Sequence, residues 1–300
     1  MNASEGKYNV GFVGIGMMGL PMSKRIAGGG YPLYAYDTAA AALKEIGAVS
    51  GVNVAGSLAE IGRNCEVVIL MLPDSAVVKK VLFGEGGGLA AHLKKGAVVI
   101  DMSSSNPSVT RELGPQLKAA GVDLVDAPVS GGVKRAVDGS LAIMAGGEHA
   151  VIERLNALFL TMGKSVIETG MLGSGHAMKA LNNYVSAAGL LAASEALKVG
   201  AEFGIAPDKI VAVLNAGTGK NNSTENKLMQ FIVSGKFNSG FSLALMRKDI
   251  NIATDLAKIV GTETLLGEVL LKSWTDADAK LKGADHTEIY RMIEGGRGKK

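Results

Sequence analysis

The feature that most constrains the fold of this chain is a set of three glycines, Gly14, Gly16 and Gly19, spaced as G-x-G-x-x-G. The apolar run 10–13 precedes them and indicates a short strand, and a helical pattern follows them. Asp37 stands at the end of the next apolar run, about twenty residues further on. A strand, a glycine turn, a helix and an acidic residue in this order predict a βαβ unit that binds a dinucleotide.

Each glycine of this motif has its own physical role. The first permits a tight turn, the second lets the backbone approach a pyrophosphate, and the third lets helix and strand pack closely. The pyrophosphate would then meet the unpaired N–H groups of the helix N-terminus. A glycine turn without a ligand is the alternative. We therefore predict that the whole loop binds the cofactor, namely Gly14, Ile15, Gly16, Met17, Met18 and Gly19.

Asp37 predicts that this cofactor is NAD. A carboxylate here accepts hydrogen bonds from both ribose hydroxyls of NAD, and it would repel the 2′-phosphate of NADP. No arginine follows at positions 38–41 to bind such a phosphate. The alternative is an N-cap aspartate for the next helix, and both roles can hold together.

Apolar strands alternate with amphipathic helices over more than half of the chain. Besides 10–13 and 32–36, strands are predicted at 66–71, 97–101, 123–126 and 141–145, with helices at 39–46, 75–82, 108–120 and 149–159. Strands without polar alternation, separated by helices, indicate a parallel, doubly wound sheet. After about Glu168 the pattern becomes helical, with helices predicted at 207–214, 223–234, 243–260 and 264–279.

These patterns predict an α/β fold in three parts. A Rossmann-type NAD-binding domain with a doubly wound parallel sheet is expected over 1–172. A long interdomain helix is expected over 173–204, and an all-helical C-terminal domain over 205–300, with a frayed tail at 295–300.

The long helix, predicted from about residue 174 to 203, is apolar nearly all round and should be buried on most sides. Lys179, Asn182, Asn183 and Ser186 break that pattern at i, i+3, i+4 and i+7, so they share one face. Buried polar groups need partners or a cavity. A lysine that reaches the surface beside two amides is the alternative.

Further strand ends should lie at the same carboxyl edge of the sheet, where such folds bind ligands. They are Leu72-Pro73, Ser103-Ser104 and the run 126–132, which ends in Ser130-Gly131-Gly132. A Ser-Gly-Gly turn exposes a hydroxyl and two N–H groups, which suits a carboxylate. A plain glycine-rich loop would have the same sequence.

Composition excludes several other classes of protein. The net charge is only +3 and no dense basic run lies inside the chain, so a nucleic acid is not the expected partner. Cys65 is the single cysteine, expected to be buried before a strand, and the four histidines have no metal-ligand spacing, so no metal is predicted. The glycine-interrupted run 10–22 favours strand and turn over a signal peptide, and no apolar run predicts a membrane span, so a cytoplasmic protein is expected.

Four motifs in order resemble those of the β-hydroxyacid dehydrogenases, the family that contains 3-hydroxyisobutyrate dehydrogenase and 2-hydroxy-3-oxopropionate reductase. They are the residues 11–19, 126–132 and 173–183, and Gly240-Phe241 followed by Lys248-Asp249. The resemblance extends over nearly the whole chain, from residue 10 to about residue 293.

The resemblance implies a role for each matching residue. Lys179 would be the catalytic acid/base, Ser130, Gly131 and Gly132 would hold a substrate carboxylate, and Asn182 and Asn183 would orient the substrate. Phe241 and Asp249 would complete the substrate site, and Leu72, Pro73, Ser104 and Lys248 would line the cofactor site. One departure is Lys134-Arg135, where many members have small neutral residues; the pair indicates either a more acidic substrate or surface residues.

The implied activity is transfer of a hydride between NAD and a small β-hydroxy acid. A semialdehyde reductase that runs in the reductive direction is an alternative, as are a substrate with a sulfonate or phosphonate group and a catalytically silent dinucleotide-binding module. The early position of Lys179 in its helix predicts a lowered pKa, because the positive end of the helix dipole disfavours an ammonium. Apolar surface on the helical part predicts a homodimer or homotetramer.

Overall fold

The computed structural model describes residues 7–294, so the tail at 295–300 lies outside the described residues. The chain forms two compact units, one ending at Lys179 and the other beginning at Ala180. The boundary falls inside the long helix Ser174–Phe203, whose first residues belong to the first unit.

The first unit is built on one sheet of nine strands in the order β3-β2-β1-β4-β5-β6-β8-β7, with β9 paired to β8. The strands are β1 (Val10–Val13), β2 (Leu33–Tyr36), β3 (Val52–Val54), β4 (Val67–Leu70), β5 (Val98–Asp101), β6 (Asp123–Asp126), β7 (Val129–Ser130), β8 (Leu141–Gly146) and β9 (Gly163–Gly170). The first six strands in this order, from β3 to β6, run parallel to one another. The chain leaves β1 toward β2 and later returns to β4 on the other side, so a topological switch point lies between β1 and β4.

Among the residues that the structure describes, seven α-helices cover this sheet: α1 (Gly19–Gly28), α2 (Ala40–Gly47), α3 (Leu58–Asn64), α4 (Ser75–Phe83), α5 (Pro107–Ala119), α6 (Gly132–Asp138) and α7 (His149–Met162). Successive strand residues point into two different cores. Phe12 and Ile69 belong to one, whereas Val13 and Leu70 belong to the other. Because both faces are covered, interior strands such as β1 and β4 are apolar throughout, and the predicted Rossmann-type fold is confirmed.

The structure adds elements that the sequence patterns did not predict. They are β3, α3, β7, α6 and β9. In addition, the sheet is not wholly parallel, because β8 runs antiparallel to β6 and β7. β3 has only three residues and β9 is half exposed, so neither carries the apolar run that marks an interior strand. Cys65 is buried just before β4, as expected.

The second unit is helical, as predicted. It contains the rest of α8 (Ser174–Phe203), then α9 (Pro207–Ala216), α10 (Asn222–Asn226), α11 (Leu243–Ile259) and α12 (Gly267–Lys280), with a short 3-10 helix at His286–Met292. Its core includes Trp274, Leu190 and Ile250, all fully buried. The single helix predicted over 223–234 is wrong, because α10 ends at Asn226 and a π-helical segment follows over Leu228–Val233.

The expected burial of α8 on most sides is not observed in the single chain. Val185 and Val199 are each 68% exposed, and Phe203 is 84% exposed. In the region 7–294, none of the helices combines the length and apolarity needed to cross a membrane.

Candidate active site

The carboxyl ends of five parallel strands lie level with one another. Val13 is in register with Tyr36 on one side and Leu70 on the other, and Leu70 is in register with Asp101, which pairs with Asp126. The residues that follow these strands therefore meet at one edge of the sheet, which spans the switch point.

The glycine loop after β1 has the space that a dinucleotide requires. Gly14 has φ +100°, and a Cβ added there would collide with the carbonyl of Met71. A Cβ on Gly19 would collide with the carbonyl of Gly14, so the turn and the start of α1 pack against each other. At Gly16 nothing lies within 4 Å of an added Cβ, which leaves the backbone open to a pyrophosphate. These residues fit the cofactor that the motif implies.

Asp37 follows β2 beside this loop and is held by two backbone N–H groups. Ile15 N–H donates to Oδ2 at 2.6 Å, and Ala39 N–H donates to Oδ1 at 2.7 Å. The N-cap of α2 is Ala39, so the alternative role of Asp37 as N-cap is wrong. Because each carboxylate oxygen can accept two hydrogen bonds, both oxygens keep acceptor capacity for a ribose.

The loops after β4 and β5 are joined by a hydrogen bond. The Leu72 N–H donates to Ser103 Oγ at 2.9 Å, and the Ser103 N–H donates to Asp101 at 3.0 Å. Pro73 is exposed and Ser104 is half-buried, so both candidate cofactor residues have surface at this edge.

The substrate motif is a strand end and a helix start rather than a plain loop. Ser130 is the last residue of β7 and pairs with Ala142, and α6 begins at Gly132. Gly131 and Gly132 have φ +135° and +69°, which favours glycine at both positions. Ser130 is half-buried and both glycines are exposed.

Lys134 and Arg135 are both exposed on α6. The aliphatic part of the Arg135 side chain lies over Gly131, where it would collide with an added Cβ.

Asp126 holds the start of α8, a role that sequence reasoning missed. Its Oδ1 accepts from the Gly173 N–H and its Oδ2 accepts from the His176 N–H, both at 2.7 Å. Burial raises the pKa of this carboxyl group, while the neighbouring His176 and the two N–H groups act in the opposite direction. The acidic end of β6 is visible in the sequence, but its partners lie 47 and 50 residues away.

His176 is buried next to this cap. Its Nδ1 lies 2.8 Å from the Thr110 hydroxyl, and its Nε2 lies 3.7 Å from Asp101 Oδ2. These contacts tie the first turn of α8 to β5 and α5. Lys179, which follows within the next turn, is half-buried.

In the second unit, the structure brings together candidate residues from α8 and α11. Asn183 Nδ2 donates to Asp249 Oδ2 at 2.6 Å, and Asn182 Nδ2 donates to Asn183 Oδ1 at 3.1 Å. Lys248 Nζ lies 3.9 Å from Asp249 Oδ1. Asn183 and Asp249 are both buried, so the carboxylate fixes the orientation of the amide.

Phe241 contacts Asp285 and His286, which lie in the segment that follows α12. The His286 N–H donates to the Phe241 carbonyl at 2.7 Å, and the two rings meet edge to face at 5.7 Å. Asp285 accepts from the N–H groups of Gly240 and Phe241 at 2.9 and 3.4 Å. Across 7–294, no three His, Cys, Asp or Glu side chains are grouped so that they could hold a metal ion.

The doubly wound sheet, the open glycine loop and the acidic residue after β2 are typical of NAD(P)-dependent oxidoreductases. Comparison with family models agrees: residues 9–173 match the NAD binding domain of 6-phosphogluconate dehydrogenase. Residues 173–293 match a domain described as NAD-binding of NADP-dependent 3-hydroxyisobutyrate dehydrogenase.

Similar proteins narrow the class. 2-(Hydroxymethyl)glutarate dehydrogenase of Eubacterium barkeri is 34% identical over 254 residues, which are 85% of this chain and 84% of that protein. 2-Hydroxy-3-oxopropionate reductase of Escherichia coli K12 is 37% identical over 251 residues, 83% of this chain and 84% of the reductase. The structure of 3-hydroxyisobutyrate dehydrogenase from Mycobacterium tuberculosis with L-serine has a TM-score of 0.87 at 28% identity, over 97% of this chain and 100% of that one. The chain belongs to the β-hydroxyacid dehydrogenase family, as its motifs predicted, and it is an NAD(P)-binding oxidoreductase that acts on the CH–OH group of hydroxy acids.

Proposed function

We propose that this protein oxidises a small β-hydroxy acid of the 3-hydroxyisobutyrate type, with Lys179 as the general acid/base. The observation that carries the proposal is the cap on α8. Asp126, at the end of β6, holds the first turn of the helix that bears Lys179, while the same loop leads on to Ser130. The names of the relatives support this substrate class. The reverse reaction, reduction of a semialdehyde, uses the same residues, and the E. coli reductase supports it as the alternative direction.

The bound nicotinamide would supply the hydride acceptor, and the protein would supply position and proton transfer. As a neutral amine, Lys179 takes the proton of the substrate hydroxyl during oxidation; as an ammonium it returns that proton during reduction. Ser130 Oγ and the N–H groups of Gly131 and Gly132 hold the substrate carboxylate. Both glycines have positive φ angles and no side chains of their own, and the Arg135 side chain packs over Gly131.

The amide of Asn183 orients the substrate next to Lys179. Its direction is set by Asp249, whose carboxylate accepts from Nδ2 at 2.6 Å, and by Asn182, which donates to its Oδ1. The family resemblance assigns Phe241 to the substrate site and Lys248 to the cofactor site. An amide adds no charge beside the lysine, so it positions the substrate without opposing the proton transfer.

For the coenzyme we infer NAD, on the strength of Asp37. Its carboxylate is fixed by the N–H groups of Ile15 and Ala39 and would face a 2′-phosphate directly. The family model for residues 173–293 carries NADP in its description, so coenzyme choice is a property that Asp37 is proposed to set in this chain. A cytoplasmic location and a homo-oligomer complete the proposal; the first comes from the sequence and the second from the exposed apolar side chains of α8.

Replacement of Lys179 by methionine tests the proposed mechanism. Positioned proton transfer contributes roughly 10²–10⁴ in rate, so kcat for oxidation of 3-hydroxyisobutyrate with NAD should fall by about that factor. NADH affinity, measured by fluorescence titration, should be nearly unchanged. Lys198→Met on the same helix is the control, because Lys198 pairs with Glu202 at 3.7 Å. A Lys179→Met enzyme that kept a tenth or more of its activity would place the acid/base elsewhere.

A further inference from the structure

Besides Lys179, a second lysine contacts the polar face of α8 through a hydrogen bond. Lys227 lies at the break between α10 and the π-helical segment, with φ −126° and ψ −45°. Its Nζ donates to Ser186 Oγ at 3.2 Å. The side chain is partly buried, in a chain segment where a continuous helix was predicted.

The ammonium group of Lys227 has fewer hydrogen-bond acceptors around it than it has N–H donors. A lysine has three N–H donors, and in the described part of the chain the Ser186 hydroxyl is its one hydrogen-bond acceptor. No carboxylate among residues 7–294 lies within the 4.0 Å of an ion pair with Nζ. A cation removed from water without a counterion is unfavourable, so the site favours an anionic ligand.

The titratable neighbours of Lys227 do not fill that role. Burial lowers the pKa of Lys227 to about 8, and Asp285 acts in the opposite direction from a longer distance. The Asp285 carboxylate is already occupied by hydrogen bonds from Ser239, Gly240 and Thr287. His286, the other titratable neighbour, is buried, and its pKa is lowered to about 4 mainly by that burial, so it is neutral at neutral pH.

The position of Lys227 relates it to the proposed acid/base. Ser186, its partner, stands seven residues after Lys179 and three after Asn183 in the continuous helix α8. Residues at i and i+7 lie on one face, about 10 Å apart along the axis. A short-chain acid that reacts beside Lys179 would therefore extend toward Lys227 if it continued along this face.

We propose that Lys227 binds a second carboxylate of the substrate, so that the preferred substrates are dicarboxylic β-hydroxy acids. This inference rests on the proposed function, because it assumes that the substrate reacts beside Lys179. The residue acts on specificity and leaves the hydride and proton steps unchanged. A purely structural lysine, which only joins the segment after α10 to α8, is the competing explanation.

Two substrates that differ at a single end separate these explanations. 2-(Hydroxymethyl)pentanedioate carries a carboxylate where 2-(hydroxymethyl)pentanoate carries a methyl group, and the reacting end is the same. Steady-state kinetics with NAD and both acids should be measured for the wild type, Lys227→Met, Lys227→Arg and the control Lys220→Met. Lys220 is exposed, lies just before α10, and pairs with Glu225 at 2.8 Å.

The wild type should prefer the diacid, and Lys227→Met should lose about 10- to 100-fold in kcat/KM for the diacid, mostly in KM, as expected for a charge-assisted hydrogen bond. The monoacid should change by less than about twofold, since its methyl end makes no such bond. Lys227→Arg should keep most of the preference and Lys220→Met all of it. The KM of the wild type for the diacid should also rise above about pH 8, where Lys227 loses its proton, and the KM for the monoacid should not.

An equal loss for both acids in Lys227→Met, or a wild type without preference for the diacid, would overturn the inference. If the monoacid is still oxidised in a Lys179-dependent way, the proposed function stands without it. If the wild type oxidises neither acid, the proposed function and this inference both fail. Thermal stabilisation by glutarate against butyrate gives a readout independent of turnover, and Lys227→Met should abolish the difference between them.

Discussion

At the scale of single residues, the site depends on side chains whose direction is set by backbone hydrogen bonds. Asp37 is the clearest case, because the N–H groups of Ile15 and Ala39 hold its two oxygens at 2.6 and 2.7 Å. A carboxylate fixed in this way cannot turn aside from a phosphate. The effect on coenzyme choice that we propose for Asp37 would therefore come from a charge at a fixed position, with little relaxation available.

The first prediction concerns this carboxylate. The wild type should prefer NAD over NADP in kcat/KM, because like charges held this close cost several kcal/mol in a poorly solvated site. Asp37→Asn should reduce the ratio of kcat/KM for NAD to kcat/KM for NADP at least tenfold, chiefly by lowering the KM for NADP. Glu45→Gln, which removes a surface charge on α2, should leave the ratio unchanged. Equal efficiency of the wild type with both coenzymes would contradict the role of Asp37.

At the scale of elements, the first turn of α8, the helix that carries Lys179, is attached to the sheet by Asp126. Helix N-termini have unpaired N–H groups, and Asp126 satisfies two of the groups at this end. The packing is close as well, since a Cβ on Gly175 would collide with the carbonyl of Met144. Lys179 is therefore carried by a turn that has little freedom to shift.

Asp126→Asn tests this connection. An asparagine keeps one acceptor oxygen and turns an NH₂ group toward the second N–H, so one buried N–H loses its partner at a cost of roughly 1–3 kcal/mol. We expect a lower melting temperature and a lower kcat, with NADH affinity less affected. Asp123→Asn in the same strand is the control, because the Asp123 carboxylate pairs with the exposed Lys118 at 2.8 Å.

The stability difference between the wild type and Asp126→Asn should depend on pH in a direction that the pKa of Asp126 determines. Burial raises the folded-state pKa of Asp126 above its ordinary value of 3.8. Its protonation therefore adds stability at low pH, and this contribution is lost as the pH rises from about that value through the folded-state pKa. The stability difference between wild type and Asp126→Asn, measured by denaturant unfolding, should become smaller over that window. A constant difference would show that the carboxyl group titrates as it does in the unfolded chain.

Local patterns were sufficient for the elements that carry strong periodicity. β1 and the glycine loop could be predicted because each depends on neighbours within a few residues, and Asp37 stood out because it follows the next apolar run. β9 could not, since this edge strand is half exposed and has no continuous apolar run. The cap by Asp126 and the Lys227–Ser186 contact were also missed. Both join residues more than 40 positions apart, and a sequence pattern does not record such pairs.

At the scale of the whole molecule, exposed apolar side chains mark surface that a single chain leaves uncovered. The sheet of the first unit is buried on both faces by its own helices. In the second unit, apolar side chains remain at the surface along α8 and beyond, among them Leu265 at 93% exposure. Patches of contiguous apolar surface on a soluble protein mark interaction sites.

We therefore expect a homo-oligomer that uses the exposed face of α8. Val199 and Phe203 are one turn apart on that face, and burying such side chains contributes about 25 cal/mol per Å² of apolar area. Light scattering of the wild type at micromolar concentration should give a mass at least twice 30.8 kDa, and the melting temperature should rise with protein concentration. The double variant Val199→Asp/Phe203→Asp should shift toward the monomer. Leu160→Asp on α7, a half-exposed apolar position in the first unit, should leave the mass unchanged. If the wild type remains a single 30.8 kDa species, the exposed face of α8 does not form an interface between copies of this chain. Its exposed apolar side chains would then have to be covered by a different partner.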